Sequence, residues 1–120
     1  MGDEIYDGDD FYCDRALKGL EQLDVFVETP EVLAFHHTRP FWPVHIVVIS
    51  KQHIPSLVDL GSGGEAVLRL VIEVVRDVSR DVLEKHGACR VLTNLGEYQD
   101  SKHLHFHVCS GEKPSGESSL

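Results

Sequence analysis

The stretch His103-Leu104-His105-Phe106-His107-Val108-Cys109 sets three histidines alternately with apolar residues. Side chains two residues apart on a β-strand point to the same face, whereas on a helix this spacing scatters the imidazoles around the axis. With 8 histidines in 120 residues, chance produces such a triplet only roughly 0.03 times per chain of this composition. The pattern therefore predicts a strand over 102–110, with the three imidazoles on one face and the intervening apolar side chains in the core.

The composition limits the kind of protein this is. The 120 residues carry a formal charge of −9 and are 42% hydrophobic, which is ordinary for one small globular domain. The acidic balance argues against a general nucleic-acid surface but not against a small phosphorylated ligand. No apolar run approaches the ~20 residues of a membrane span, and residues 1–10 lack the apolar core of a signal peptide. The three cysteines form no C-x-x-C pair, so we expect reduced thiols in a cytoplasmic protein.

The order of the predicted elements indicates an antiparallel α+β fold. A flexible acidic lead-in over 1–10 precedes one domain over 11–111, and a flexible tail follows over 112–120. Within the domain, a short helix from Asp10 precedes five strands, mostly joined as hairpins. The strands are predicted over 25–27, 32–35, 44–49, 89–94 and 102–110. Valines that recur every three or four residues predict one long helix from Gly64 to His86, ended by Gly87.

Three imidazoles in a row support two kinds of chemistry. Neutral imidazoles bind zinc, but three same-face residues on one strand span roughly 13 Å, so their nitrogens converge on one ion only with distortion. A neutral imidazole can instead attack phosphorus, provided that its far nitrogen is oriented by an acceptor and a neighbouring histidine supplies a proton. The geometry favours the nucleophile, and a metal-dependent site stays the alternative.

The triad stretch resembles the signature of the histidine-triad (HIT) family, in which three histidines alternate with apolar residues. The segment from Val32 to Ile54 supports the resemblance independently, because it contains His45 and ends in Ser50-Lys51-Gln52-His53, similar to the Pro-Lys-x-His turn of the family. Asn94-Leu95-Gly96 followed by Gln99 resembles the approach to the triad. The likeness covers nearly all of residues 11–111 and is nearest to the compact Hint-like branch.

The resemblance implies a homodimer in which two five-stranded sheets join into one continuous ten-stranded sheet. It implies a nucleoside phosphoramidase-like hydrolase that cleaves a P–N or P–O bond at the α-phosphate of a nucleoside monophosphate derivative through a covalent nucleotidyl-histidine. A small nucleotide and a second copy of the chain are the implied partners, without a membrane and without a required cofactor. Two alternatives stay open. One is a dinucleoside polyphosphate hydrolase or nucleotidyl transferase of the same fold, and the other is a nucleotide-binding protein that does not hydrolyse.

The resemblance also implies a role for each matching residue. His105 matches the nucleophile, and His107 matches the histidine that contacts the phosphate and the leaving group. His103 matches the outer, orienting member of the triad, and His45 matches a fourth histidine beside the network. The remaining predicted substrate-binding positions are Asn94 at the phosphate, Phe35 at the base, Gln99 before the triad, and Trp42, which either caps the pocket or packs within its own loop.

Four further positions depart from the Hint-like pattern. His37 occupies the place where an aspartate commonly receives the ribose hydroxyls. Asp100 and Ser101 stand where a serine usually assists the leaving group. Lys102 adds a cation at the edge of the pocket that favours an anionic leaving group. These residues are therefore predicted to contact the substrate and to retune the pocket.

The resemblance raises a zinc site only in an altered form. Some family members hold structural zinc with a C-x-x-C pair near the N-terminus and two histidines. The corresponding residues here are Asp10, Cys13, His53 and His103, so an aspartate replaces the first cysteine. The simpler interpretation of Cys13 is a small, buried, apolar side chain.

Overall fold

The structure is a computed structural model that describes residues 12–13, 17–19 and 22–112. The lead-in over 1–10, about half of the predicted short helix from Asp10 and most of the tail over 112–120 lie outside the described residues. The boundaries of the predicted domain over 11–111 therefore stay a prediction.

Five strands form one antiparallel sheet, as the alternating sequence patterns predict. In chain order they are β1 (Val25–Glu28), β2 (Val32–His36), β3 (Val44–Ser50), β4 (Arg90–Leu92) and β5 (His105–Ser110). Their order across the sheet is β1-β2-β3-β5-β4. The central strands β3 and β5 pair directly, so the histidines of β5 lie beside the histidine of β3.

One long helix, α1 (Gly64–His86), packs on one face of the sheet. Its buried valines recur at the predicted spacing of three and four residues, and they are Val71, Val74, Val75, Val78 and Val82. The helix ends at Gly87, whose φ of 77° is a left-handed conformation that glycine adopts without strain. Both predicted ends of the helix are confirmed. No helix in the described ranges has both the length and the apolar character needed to cross a bilayer.

The sheet separates two buried layers. The helix-side layer contains Ala34, Ile46, Val48 and the three apolar residues of the triad stretch, Leu104, Phe106 and Val108. The opposite layer contains Tyr12, Leu33, Phe35, Val47 and Ile49. The register pairs Ile49 with His105, Val47 with His107 and His45 with Cys109. Because directly paired residues share a face, the histidines of β3 and β5 lie on the side away from the helix.

The strand of the triad begins later than the alternation predicts. β5 starts at His105 rather than at Lys102, because the backbone N–H of Leu104 bonds to the carbonyl of Ile54 at 2.6 Å. That bond ties the preceding residues to a loop instead of the sheet. His103 therefore lies outside the strand, although its ring is on the same side of the sheet as that of His105, because the ring of Tyr12 contacts both. The predicted fourth strand over 89–94 is likewise shortened to β4.

Candidate active site

His105 is held as a neutral imidazole with one nitrogen committed to the backbone. Its Nδ1–H donates to the carbonyl of His103 at 2.7 Å, so the lone pair of the neutral ring is on Nε2. Burial is the main cause that lowers the pKa of His105, although the hydrogen bond to the His103 carbonyl acts in the opposite direction. The side chain of Thr93 donates to the His105 carbonyl at 2.7 Å and fixes the backbone beneath the ring. A fixed, neutral imidazole with a defined lone pair has the features of a nucleophile.

A chain of hydrogen bonds determines the proton positions on His45 and His107. The backbone N–H of Phe41 donates to Nδ1 of His45 at 3.0 Å, so neutral His45 carries its proton on Nε2. That proton is donated to Nδ1 of His107 at 2.8 Å. Neutral His107 must therefore carry its own proton on Nε2 and offer it as a hydrogen-bond donor.

Burial keeps this pair of rings neutral. It lowers the pKa of His45 to about 4, with a smaller contribution from the charge of His37. It also lowers the pKa of His107 to about 3, and the neighbouring imidazoles add to the effect. Both rings are at most 9% exposed, so the direction of these shifts follows from desolvation of the charged form.

His37 completes a group that we call the imidazole cluster: His37, His45 and His107. Nitrogens of these rings lie within 4.8 Å of one another. Nδ1 of His37 accepts the backbone N–H of Arg39 at 2.9 Å, just as Nδ1 of His45 accepts that of Phe41. A metal-bound imidazole normally donates its second nitrogen to an acceptor, which is the opposite arrangement. The cluster is therefore built to pass hydrogen bonds and not to hold a metal.

A second group, which we call the sulfur cluster, lies on the other side of His105: Cys13, His53 and His103. The sulfur of Cys13 lies 3.2 Å from Nδ1 of His103 and 3.5 Å from Nδ1 of His53. Tetrahedral zinc places sulfur and nitrogen ligands about 3.6 Å apart. The three ligand atoms of the cluster lie within 4.8 Å of one another.

The proton position on His103 suits a metal ligand. Its Nε2–H donates to the carbonyl of Ser50 at 2.7 Å, so Nδ1, which faces Cys13, has the lone pair. A ligating histidine that donates its other N–H to a backbone carbonyl is the usual arrangement in metal sites. Cys13, His53 and His103 therefore fit zinc, and Asp10, the fourth predicted member, lies outside the described residues.

The comparisons with known proteins agree with this geometry. A HIT domain model matches residues 20–114. The chain belongs to the HIT family. An uncharacterized HIT-like protein of 13.2 kDa from Azospirillum brasilense is 32% identical over 113 residues, with 92% of each chain covered. The family predicted from the triad is confirmed.

Solved structures show that this sheet and helix form the HIT fold. A histidine triad protein from Clostridium difficile matches with a TM-score of 0.75 and 26% identity, covering 97% of this chain and 99% of that one. A HIT family hydrolase from Clostridium thermocellum matches with a TM-score of 0.71 and 26% identity, covering 91% and 95%. The predicted five-stranded antiparallel sheet with one long helix is therefore confirmed.

The loop before the HIT triad contains four of the other predicted site residues. Gln99 is buried, and its side-chain amide donates to the carbonyl of Pro55 at 2.7 Å. Nζ of Lys102 donates to the carbonyls of Gly96 and Gln99 at 3.1 and 2.6 Å. Both side chains thus hold the loop itself. Asp100 is exposed, Ser101 is partly buried, and the charge of Asp100 slightly raises the pKa of His105.

The remaining predicted substrate-binding positions are Trp42, Phe35 and Asn94. Trp42 packs edge-on against His45, with ring centroids 5.2 Å apart, and the Arg90 guanidinium lies 5.6 Å from its ring centroid. Phe35 is only 1% exposed and packs against Tyr12, so little of its side chain is available to a ligand. Asn94 is partly buried just beyond β4.

Two residues near His105 were not predicted. The ring of Tyr12 lies 4.9 Å from that of His105 and 5.7 Å from that of His103, although it is more than 90 residues away in sequence. No periodicity could have indicated this contact. Thr93 could have been found, because it directly precedes Asn94 in the motif that approaches the triad.

Proposed function

We propose that this HIT protein is a nucleotide-binding hydrolase that cleaves a P–N or P–O bond at the α-phosphate of a nucleoside monophosphate derivative. The observation that supports it best is the fixed tautomer of His105, whose Nδ1–H is bound to the His103 carbonyl. Only such a ring directs a lone pair on Nε2 toward phosphorus while its other nitrogen is stabilised. Its lowered pKa keeps the lone pair available near neutral pH.

The reaction has two displacements at phosphorus. The lone pair of His105 Nε2 attacks the α-phosphorus, the bond to the leaving group breaks, and a nucleotidyl-histidine forms. Water then attacks the same phosphorus, which releases the nucleoside monophosphate and restores the imidazole. His107 presents Nε2–H beside the nucleophile, with ring centroids 5.0 Å apart, and stabilises charge that develops on the phosphoryl oxygens or the leaving atom. His45 keeps that donor in place through the bond to Nδ1 of His107.

The other predicted substrate contacts form the rim of this proposed site. Asn94 is proposed to contact the phosphate, Trp42 the base side, and the loop of Gln99, Asp100, Ser101 and Lys102 the leaving group, whereas the buried Phe35 supports the base side from below without a large contact surface. No metal is proposed to take part in either displacement. Zinc held by Cys13, His53 and His103 would act as a structural cross-link. The proposed location is the cytoplasm, where cysteines that form no disulfide stay reduced.

We also propose that two copies join through β4 into a ten-stranded sheet. In the described chain β4 lies at one edge of the sheet, and Val91 on this strand is 46% exposed. An exposed edge strand readily pairs with a second copy of itself. Light scattering after gel filtration should give a dimer for the wild type and a monomer for Val91→Lys. A monomeric wild type would contradict this arrangement.

Replacement of His105 tests the proposed hydrolysis. His105→Ala should reduce turnover of an adenosine 5′-phosphoramidate by about a thousandfold or more, because the nucleophile is lost. His86→Ala, at the exposed end of α1, is the matched control and should keep wild-type turnover. Equal turnover by His105→Ala and the wild type would contradict the proposal. Tight nucleotide binding by the wild type without turnover would indicate the alternative, a nucleotide-binding protein that does not hydrolyse.

A further inference from the structure

A cavity of about 470 Å³ lies beside the edge strand β1, and its volume is within the range of small-molecule sites. Its walls combine apolar side chains with one ion pair. The apolar ones are Leu17, Leu23, Val25 and Leu33, and the charged ones are Glu28 and Lys51. Leu33 belongs to the layer on the sheet face away from α1, so the cavity lies on the same face as the histidines.

The cavity is nevertheless separate from the candidate active site. Leu33 pairs with Ile49 on the neighbouring strand, and Ile49 pairs with His105 on the next one. Neighbouring strands lie about 4.8 Å apart, so two strand spacings, roughly 10 Å, separate Leu33 from His105. Ile49 is fully buried between them. None of the described residues that line the cavity belongs to the imidazole cluster or to the sulfur cluster.

A β-bulge brings the apolar and the charged parts of this cavity to one face of β1. The register changes between Val25 and Val27, so Val25 pairs with Phe35 and Glu28 pairs with Leu33. In a regular strand, residues three apart point to opposite faces, and the extra residue of a bulge moves them to the same face. Val25 therefore lies at one end of the cavity and Glu28 at the other, roughly 10 Å along the strand.

The ion pair at the Glu28 end limits the charge that a ligand can carry. Nζ of Lys51 donates to Oε2 of Glu28 at 2.5 Å, and within the described ranges this is the only partner of either charged group. Two N–H groups of Lys51 and Oε1 of Glu28 stay available. A simple anion is repelled by Glu28 and a simple cation by Lys51, whereas a zwitterion satisfies both. Because the two protein charges touch, the two charges of the ligand must also be adjacent.

We propose that this cavity binds a free α-amino acid with an apolar side chain, such as leucine. An α-amino acid carries its ammonium and its carboxylate on one carbon, which is the spacing that the ion pair requires. The carboxylate accepts from Lys51 and the ammonium donates to Glu28. The side chain extends along β1 over Leu33 and covers Val25, which is otherwise 47% exposed. The inference does not depend on the proposed hydrolysis.

Methyl-group NMR spectroscopy of the wild-type protein tests the proposal with four small probes. L-leucine should give saturable shifts of the methyl resonances of Leu17, Leu23 and Leu33. Isocaproate, which lacks the ammonium, and isopentylamine, which lacks the carboxylate, should each bind about tenfold or more weakly because one charged hydrogen bond is lost. Glycine, which lacks the side chain, should also bind about tenfold or more weakly.

Variants of the ion pair should change the preference in opposite directions. Lys51→Met leaves the carboxylate of Glu28, so isopentylamine should bind more tightly than isocaproate. Glu28→Gln leaves the ammonium of Lys51, so the order should reverse. Both variants should bind L-leucine about tenfold more weakly than the wild type. Glu65→Gln, in the exposed first turn of α1, removes a charge elsewhere and should keep the wild-type affinity.

Four results would overturn the inference. The first is the absence of saturable shifts when L-leucine is added to the wild type. The second is equal affinity for L-leucine and isocaproate, which would indicate a site for apolar acids. The third is unchanged leucine affinity in both ion-pair variants. The fourth is tighter binding of the dipeptide leucyl-leucine than of L-leucine, which would indicate the end of a peptide groove.

Discussion

The two clusters on either side of His105 both contain histidines, but their rings carry the proton on different sides relative to their neighbours. In the sulfur cluster, Nε2–H of His103 donates to the carbonyl of Ser50, and the lone pair on Nδ1 faces a thiol. In the imidazole cluster, backbone N–H groups donate to Nδ1 of His37 and of His45, so the proton of each neutral ring is on Nε2. The backbone groups around a histidine therefore decide which of its nitrogens has the lone pair that could bind a metal and which donates a hydrogen bond.

His105 lies between the clusters and is connected to both. Its Nδ1–H bonds to the carbonyl of His103, a member of the sulfur cluster. Its ring lies 5.0 Å from that of His107, a member of the imidazole cluster. One cluster thus orients the ring of His105, whereas the other lies beside that ring.

The largest expected effect comes from breaking the imidazole cluster. His107→Ala removes the donor beside the proposed nucleophile His105, so kcat for an adenosine 5′-phosphoramidate should fall by about a hundredfold to ten-thousandfold. His36→Ala removes an exposed imidazole outside the cluster and should keep kcat near the wild-type value. A His107→Ala enzyme with wild-type kcat would show that the cluster does not take part in the chemistry.

The second-largest expected effect is a difference in metal affinity between the two clusters. Isothermal titration of the protein with zinc should detect one site, and Cys13→Ala should weaken it by about a hundredfold because a thiolate ligand is lost. Cys89→Ala removes another partly buried thiol, and His37→Ala removes a ring of the imidazole cluster. Neither should change the zinc affinity. Loss of zinc binding in His37→Ala and not in Cys13→Ala would reverse the assignment.

The stability of the imidazole cluster should depend on pH. The pKa of His45 is about 4 and that of His107 about 3 in the folded state, against about 6.5 when unfolded. As pH falls below 6.5, the unfolded chain takes up protons that the folded rings do not. The free energy of unfolding should therefore be highest above pH 6.5 and decline as the pH falls from 6.5 through the folded pKa values of about 4 and 3, by at most about 1.4 kcal/mol per pH unit for each histidine.

Urea unfolding of the wild type and of His107→Gln checks this slope. Glutamine keeps a polar side chain but cannot take up a proton in this range, so the variant should lose less stability over the same pH interval. An equal decline in both proteins would mean that His107 is not the source of the pH dependence.

The smallest expected effect comes from removing the hydrogen bond that fixes the backbone carbonyl of His105. Thr93→Val removes the hydroxyl that donates to the His105 carbonyl while nearly keeping the side-chain volume. Unfolding in urea should show a loss of about 1 kcal/mol, and turnover should fall only a few fold. Ser110→Ala, which removes a comparable bond from the far end of β5 to Ala88, should lose similar stability with no change in turnover.

The elements with a regular spacing or an unbroken run of apolar residues were predictable from the sequence. The valine spacing and Gly87 indicated both ends of α1, and the β-branched run at Val44 indicated the central strand β3. The start of β5 was not predictable, because the alternation of histidine with apolar residues continues through His103. The backbone hydrogen bond from Leu104 to Ile54 ends the sheet pairing, and it cannot be inferred from the alternation of residues around position 104.

The sequence pattern also did not predict that His103 and His107 belong to two different clusters. Spacing on an ideal strand predicted three imidazoles on one face, but it could not indicate that His103 also contacts Cys13, which is 90 residues away in sequence. Only the family resemblance pointed to that pair. The proton positions on His37 and His45 depend on backbone N–H groups of a loop with two prolines, so they follow from the folded structure alone.

Mass spectrometry of the quenched reaction tests the central claim, that His105 is the nucleophile between the two clusters. Wild-type protein mixed with an adenosine 5′-phosphoramidate and stopped within the first turnover should gain the mass of one adenylyl group. Peptide mapping should place that group on His105, and His105→Ala should show no adduct. An adenylyl group on another residue, or steady turnover with no adduct in the first turnover, would contradict the account.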